Sequence, residues 1–254
     1  MEESREKAYE FLTVALDMGE ALMCCGAEVN RVEDTLSRMG FAYGAKEMNV
    51  FVITTSIVVT MEFQEGNSIT LTRRITDPGS TDFRKLARVN NVSRHFCSGD
   101  LTVEELKEEY VKAIRPTTKP IRMYLGSALA AGAFAIFFGG KIWDGIVAAI
   151  FGVLICLFQK QLAPRSPNLI IYNLVTSFVV GLGVCLIVRL IPGLNLDKIL
   201  IGDIMLLIPG VAMTNAIKDM LVGDTVTGTM RLIESVMWAA ALATGFIMAF
   251  WIVW

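Results

Sequence analysis

Thr214, Asn215, Lys218 and Asp219 lie within six residues of one another in IPGVAMTNAIKDMLVGDTVTGTMR (208–231), directly after Pro209-Gly210. On a helix that advances 100° per residue they share an arc of about 140°. Met213, Ala216, Ile217 and Met220 cover the opposite side. Asp203 stands inside the preceding apolar run; Gly223-Asp224 reads as a turn, and Gly228, Arg231 and Glu234 lead into another apolar run. A charged side chain near the centre of a membrane helix costs about 2.5–3.5 kcal/mol on insertion scales, so several together imply a lined path. Pro209 removes a helix hydrogen bond and Gly210 adds freedom, so the helix should break there. The N-terminus of the following half-helix would favour a carboxylate. Asp203, Asp219, Asp224 and Glu234 are the candidate proton carriers. With Pro209, Gly210, Thr214, Asn215, Lys218, Gly223, Gly228 and Arg231 they make up a candidate substrate-binding or translocation set. The plainer alternative, a cytoplasmic loop with topogenic charges, accounts for Lys218 and Arg231 but not for Pro-Gly or Asp203.

A second group lies in CCGAEVNRVEDTLSRMG (24–40), where Cys25, Gly26, Glu28, Arg31 and Glu33 form a possible site. The same residues also suit the solvated face of a helix, with Arg31 three positions from both Glu28 and Asp34 for ion pairing. His95 is the only histidine, and no ligand-spaced cluster surrounds it. The five cysteines contain no CxxC and show no metal spacing, so neither metal nor cofactor is expected. Free thiols fit a reducing compartment. The net charge of −2 gives no basic surface for nucleic acid.

These residues need elements to hold them, and composition divides the chain. Up to Arg122 it has 16 Lys/Arg and 19 Asp/Glu; beyond it, 7 and 6. Mean hydropathy is +0.53, too high for a wholly soluble protein of this length. The reading is an α+β cytoplasmic domain over 1–118 followed by an all-α membrane domain of five transmembrane helices over 119–254, the fourth broken at Pro-Gly. In the first, helical spacing runs from Ala8 to Met23 and from Val29 to Tyr43, with Gly26 as a stop. Strands are expected at about 48–55, 57–64 and 68–75, with turns at Glu65-Gly66-Asn67 and Asp77-Pro78-Gly79-Ser80. A helix carrying Phe83, Leu86, Ala87 and Asn90 follows, then one capped by Thr102 and Glu105 that ends before Pro116.

Spanning a bilayer takes about 20 apolar residues. The candidates are roughly 123–140, 143–159, 169–191, 199–217 and 232–253. Arg115, Lys119, Arg122, Lys160, Arg165, Lys218 and Arg231 fall on the side of the first domain, against Lys141, Arg189 and Lys198 on the other. The excess puts that domain in the cytoplasm and the C-terminus outside. MEESREKAYE has no apolar h-region, so no signal peptide is expected. Five segments without a visible second half imply an oligomer or pairing with another small membrane protein.

CCGAEVNRVEDTLSRMGFAYGAKEMNVFVITTSIVVT resembles the N-terminal signature of the threonine/serine exporter family. IPGVAMTNAIKDMLVGDTVTGTMRLIES resembles its membrane signature, and ITDPGSTDFRKLARVNNVSR the stretch leading between them. The resemblance implies export of threonine and serine in exchange for protons, or of succinate in related proteins. It also implies a bacterial-type inner membrane as the location. Full-length members carry about ten membrane segments, so a chain of five resembles the larger subunit of the split form, which works with a small membrane partner. The alternatives are a membrane-anchored, hydrolase-like enzyme using the first domain and a regulatory membrane scaffold.

Overall fold

The computed structural model describes residues 2–64, 66–76, 81–116 and 120–254. The expected Asp77-Pro78-Gly79-Ser80 turn, Glu65, Lys119 and the 118/119 boundary lie outside the described residues. The chain is mostly helical, with a small sheet near its N-terminus, and it forms two compact units. One comprises Met1–Pro116 with Val211–Leu232; the other comprises Thr117–Gly210 with Ile233–Trp254.

The centre of the first unit is α1 (Glu2–Cys24). Phe11, Leu12, Met18 and Leu22 are fully enclosed, and nearly every residue from Phe11 to Met23 is buried or half-buried. A helix apolar on most of its circumference must be wrapped by other elements. Around it pack α2 (Val29–Tyr43), α3 (Phe83–Cys97), α4 (Val103–Ala113) and the inner face of a three-stranded sheet. Phe11 stacks between Tyr43 and Phe96 at ring separations of 4.3 and 5.4 Å.

The strands β1 (Glu47–Ile53), β2 (Ser56–Glu62) and β3 (Ser68–Arg74) form an antiparallel meander in the order β1-β2-β3. Their register aligns Val50, Val59 and Leu71 on the inner face; Phe51, Val58 and Thr72 lie on the outer one. Period-two alternation of apolar and polar residues dictates this sidedness. Asp82 caps α3 by accepting from the backbone N–H groups of Arg84 and Lys85. Thr102 and Glu105 form the expected capping box on α4. Tyr110 on α4 donates its hydroxyl to the Asp17 carbonyl at 3.0 Å, and burial pushes its phenol up to about 12.

The second unit contains α5 (Pro120–Phe137), α6 (Ile142–Gln161), α7 (Leu169–Leu190) and α8 (Leu196–Leu207). It also takes most of α10 (Thr225–Val253), a continuous helix whose first turns belong to the other unit. Among the described residues, four stretches are long and apolar enough to cross a membrane: Pro120–Phe137, Ile142–Arg165, Leu169–Leu190 and Thr225–Val253. The count becomes five if α8 and α9 (Gly210–Val222), interrupted at Ile208-Pro209, form one broken span. The interruption falls at the expected Pro-Gly.

Small residues let these helices meet backbone to backbone. A Cβ on Gly132 would lie 2.8 Å from the Gly145 carbonyl oxygen, and one on Gly202 would lie 2.5 Å from that of Ala131. Asp144, fully buried, accepts from Lys141 N at 2.7 Å and from both Asn195 N and Asn195 Nδ2 at 2.8 Å. That carboxylate ties the α5–α6 turn to the α7–α8 turn. At the far end of α7, Arg189 donates to the Val253 carbonyl at 2.7 Å.

Candidate functional site

The end of α1 creates one side of the site. Gly26 adopts φ +91°, and Ala27 N–H reaches back to the Leu22 carbonyl while Gly26 N–H reaches that of Met23. This pair of bonds is a Schellman closure, which needs the left-handed residue that glycine supplies. The closure leaves the Gly26 and Ala27 carbonyls turned outward, just ahead of the first N–H groups of α2.

The other side is the hairpin of α9 and the start of α10. Gly223 at φ +109° makes the turn, with Asp224 N–H bonded to the Asp219 carbonyl. Gly228 permits the close approach, since a Cβ there would lie 2.7 Å from the Ala216 carbonyl oxygen. The hairpin directs the polar face of α9 and Arg231 of α10 toward residues 26–29, within the first unit.

There the two sequence signatures interlock. Asn215 Nδ2 donates to the Gly26 carbonyl at 2.9 Å, and Lys218 Nζ pairs with Glu28 Oε1 at 2.8 Å. Arg231 Nη1 meets Asp219 Oδ2 at 2.8 Å, with side chains 13% and 1% exposed. Arg231 Nη2 also donates to the Ala27 carbonyl at 3.4 Å. The Asp219 carboxylate also lies close to the backbone N–H of Val29, the first helical residue of α2. A carboxylate at a helix N-terminus is favoured by the helix dipole and by the orphan N–H groups there. An internal carboxylate thus occupies a guanidinium and a helix N-terminus, the donor set that also binds small-molecule carboxylates.

The remaining candidates sit as follows. Glu33 accepts from the backbone N–H of Val52 at 3.0 Å. Burial raises its carboxyl above the usual range; the Val52 bond opposes this and the Asp224 charge adds to it. Cys25 is 2% exposed; burial pushes its thiol up, opposed by Lys85, while Asp82 adds to the rise. Arg31 makes no ion pair among the described residues. The expected pairing fails because Glu28 goes to Lys218 and Asp34 goes to Arg38, one helical turn along. Thr214 lies on the exposed part of α9, and Pro209 and Gly210 form the break itself. Asp203 and Glu234 belong to the second unit, where Glu234 is exposed. Asp203 is fully buried, and neither of its carboxyl oxygens has a hydrogen-bond partner among the described residues. No group of three His, Cys, Asp or Glu suited to a metal occurs among those residues.

Sequence reasoning missed three features. The Gly26 and Ala27 carbonyls carry no residue-type signal. Asp144 and Asn195 are 51 positions apart, and no local spacing joins them. On α7, Tyr172, Asn173, Thr176 and Ser177 form a buried polar stripe at steps of three and four inside a run read only as apolar. Their spacing was the available signal.

A profile of the family described as "Putative threonine/serine exporter" matches residues 13–253. The chain is 26% identical over 227 residues to the "Probable succinate transporter subunit YjjP" of Klebsiella aerogenes, covering 88% of this chain and 86% of the relative. It is 22% identical over 246 residues to the "Probable threonine/serine exporter" of Mycobacterium tuberculosis, covering 94% of this chain and 45% of the relative. To the "Threonine/serine exporter" of Corynebacterium glutamicum it is 20% identical over 243 residues, covering 92% and 49%. It therefore spans about half the length of these two exporters and most of the succinate transporter subunit. No solved structure matches the chain.

Proposed function

The chain belongs to the threonine/serine exporter family, and from that premise we propose that it is one subunit of a secondary, proton-coupled exporter. Its cargo is a small hydrophilic metabolite bearing a carboxylate: threonine or serine, or a dicarboxylate such as succinate. It works with a second, small membrane subunit, since a relative of matching length is named a transporter subunit and two exporters are about twice as long. The relatives' names point to transport rather than to an enzyme. Candidate spans of sufficient length and apolarity support a multi-pass protein. In this reading residues 1–118 form a cytoplasmic domain of a bacterial-type inner-membrane protein. Residues 119–254 form five spans, α8 with α9 being the broken fourth, and the C-terminus is outside.

One observation carries the proposal: the buried Asp219–Arg231 pair at the N-terminus of α2. A cargo carboxylate that competes with Asp219 for Arg231 and the α2 N–H groups releases the hairpin from residues 26–29. Departure of the cargo lets Asp219 return. Asn215 and Lys218 hold the flanking contacts through the Gly26 carbonyl and Glu28.

The test is efflux of labelled threonine, serine and succinate from cells expressing this chain, a small membrane partner, both or neither. Efflux of at least one substrate that needs both chains is expected. No efflux of any of the three from the pair refutes the exporter reading, and full efflux from this chain alone refutes the two-subunit assembly.

A further inference from the structure

We propose that Asp203 is the residue that carries the coupling proton, while Asp219 serves as the ion-pair partner of Arg231. The assignment rests on the proton-coupled export proposed above and separates carboxylates that sequence could not rank. Asp203 lies in α8 beside Gly202, whose contact with the Ala131 carbonyl brings this turn of α8 against the backbone of α5. Its carboxyl group is fully enclosed, and both oxygens are unpartnered among the described residues.

The charges on the surrounding elements are committed elsewhere or lie at helix ends. On α8 itself, Lys198 pairs with Asp197 at 2.9 Å. On α6, Asp144 is held by three hydrogen bonds, and Lys160 stands in the last turn. Arg189 of α7 donates to Val253, Arg122 is in the first turn of α5, and Glu234 of α10 is exposed.

Asp144 and Asp219 are different. Each has donors on its carboxylate, three hydrogen bonds for Asp144 and the Arg231 guanidinium for Asp219. A bare carboxylate at Asp203 lacks such compensation, and adding a proton removes the cost of burying the charge. In the cycle the Asp203 oxygen forms an O–H bond with a proton from water on one side of the membrane. It gives that proton to water on the other side, and no electron moves. Tyr172 and Thr176, one helical turn apart on α7, add buried hydroxyl groups to the same unit.

The first arm of the test uses the wild-type full chain in native membranes. Dicyclohexylcarbodiimide, an apolar reagent that attacks protonated carboxyl groups, is followed by peptide mass spectrometry. An adduct on Asp203 that increases on acidification, with none on Asp219, is expected. Absence of the Asp203 adduct overturns the proposal whether or not transport is observed. The second arm places this chain and its partner in liposomes. Asp203→Asn should keep substrate counterflow, which needs no net proton movement, and lose proton-driven uphill efflux; Asp203→Glu should restore it. Uphill efflux that survives in Asp203→Asn, or counterflow lost along with it, overturns the assignment. A wild-type pair that moves no substrate refutes the exporter reading and leaves the labelling result to stand or fall separately.

Discussion

Replacing Arg231 by alanine tests whether the ion pair closes the joint between residues 25–28 and the α9–α10 hairpin. The substitution removes the 2.8 Å contact to Asp219 and the bond to the Ala27 carbonyl, leaving the Asp219 carboxylate beside the Val29 N–H. Breaking a buried pair by deleting one partner costs about 3–5 kcal/mol. Arg231 is 13% exposed, so some water reaches the site and the lower figure, about 3 kcal/mol, is the better estimate. Each 1.4 kcal/mol is a factor of ten, so local opening should become roughly 100-fold more frequent. Cys25, 2% exposed at the edge of the gripped loop, reports that opening through maleimide labelling resolved by peptide mass spectrometry. Exposed Cys97 serves as the internal control. Asp219→Asn combined with Arg231→Gln should recover most of the protection, because no unpaired charge is left. Cys25 labelling in Arg231→Ala within about threefold of wild type, under 1 kcal/mol, would refute the reasoning.

Three further outcomes follow from the geometry. Asn195→Ala deletes one bond to the buried Asp144 carboxylate and should cost about 1.5–3 kcal/mol, measured as a lower thermal midpoint in detergent. Gly202→Ala forces α8 off the Ala131 carbonyl and should cost about 1–3 kcal/mol by overpacking. Gly126→Ala, where a Cβ meets nothing within 4 Å, should show no such loss, and equal midpoints for the two variants would contradict the packing account. Burial raises the Glu33 carboxyl, so its contribution to stability is complete below the unfolded value and fades as pH climbs through the folded one. Glu33→Gln keeps an acceptor for Val52 N–H and should flatten the melting profile between mildly acidic and neutral pH; an unchanged slope would remove Glu33 as its source.

Local features of both units could be read from the chain because local energies decide them. The capping box at Thr102 and Glu105, the left-handed stop at Gly26 and the alternation along β2 each depend on a few neighbouring residues. The apolar runs of α5, α6, α7 and α10 follow from hydropathy in the same way, and the Pro209 break from a missing N–H. Family membership was legible too, since its signatures are contiguous strings.

What periodicity could not supply was the partner of each polar group. The face shared by Asn215, Lys218 and Asp219 was legible, but the face alone could not say that it grips the end of α1 and the start of α2. Lys218 and Glu28 are 190 positions apart, and two of the acceptors are backbone carbonyls that any residue type carries. Asp219 and Asp203 look alike in sequence, each a carboxylate in or beside an apolar run. Only packing gave one a guanidinium and a helix N-terminus and left the other enclosed without a donor. Helix, strand and span were therefore determined by the sequence itself, through short-range propensity and hydropathy. Pairing was decided by the tertiary structure, because close approach of helices remote in the chain depends on the volumes and glycines at every contact between them.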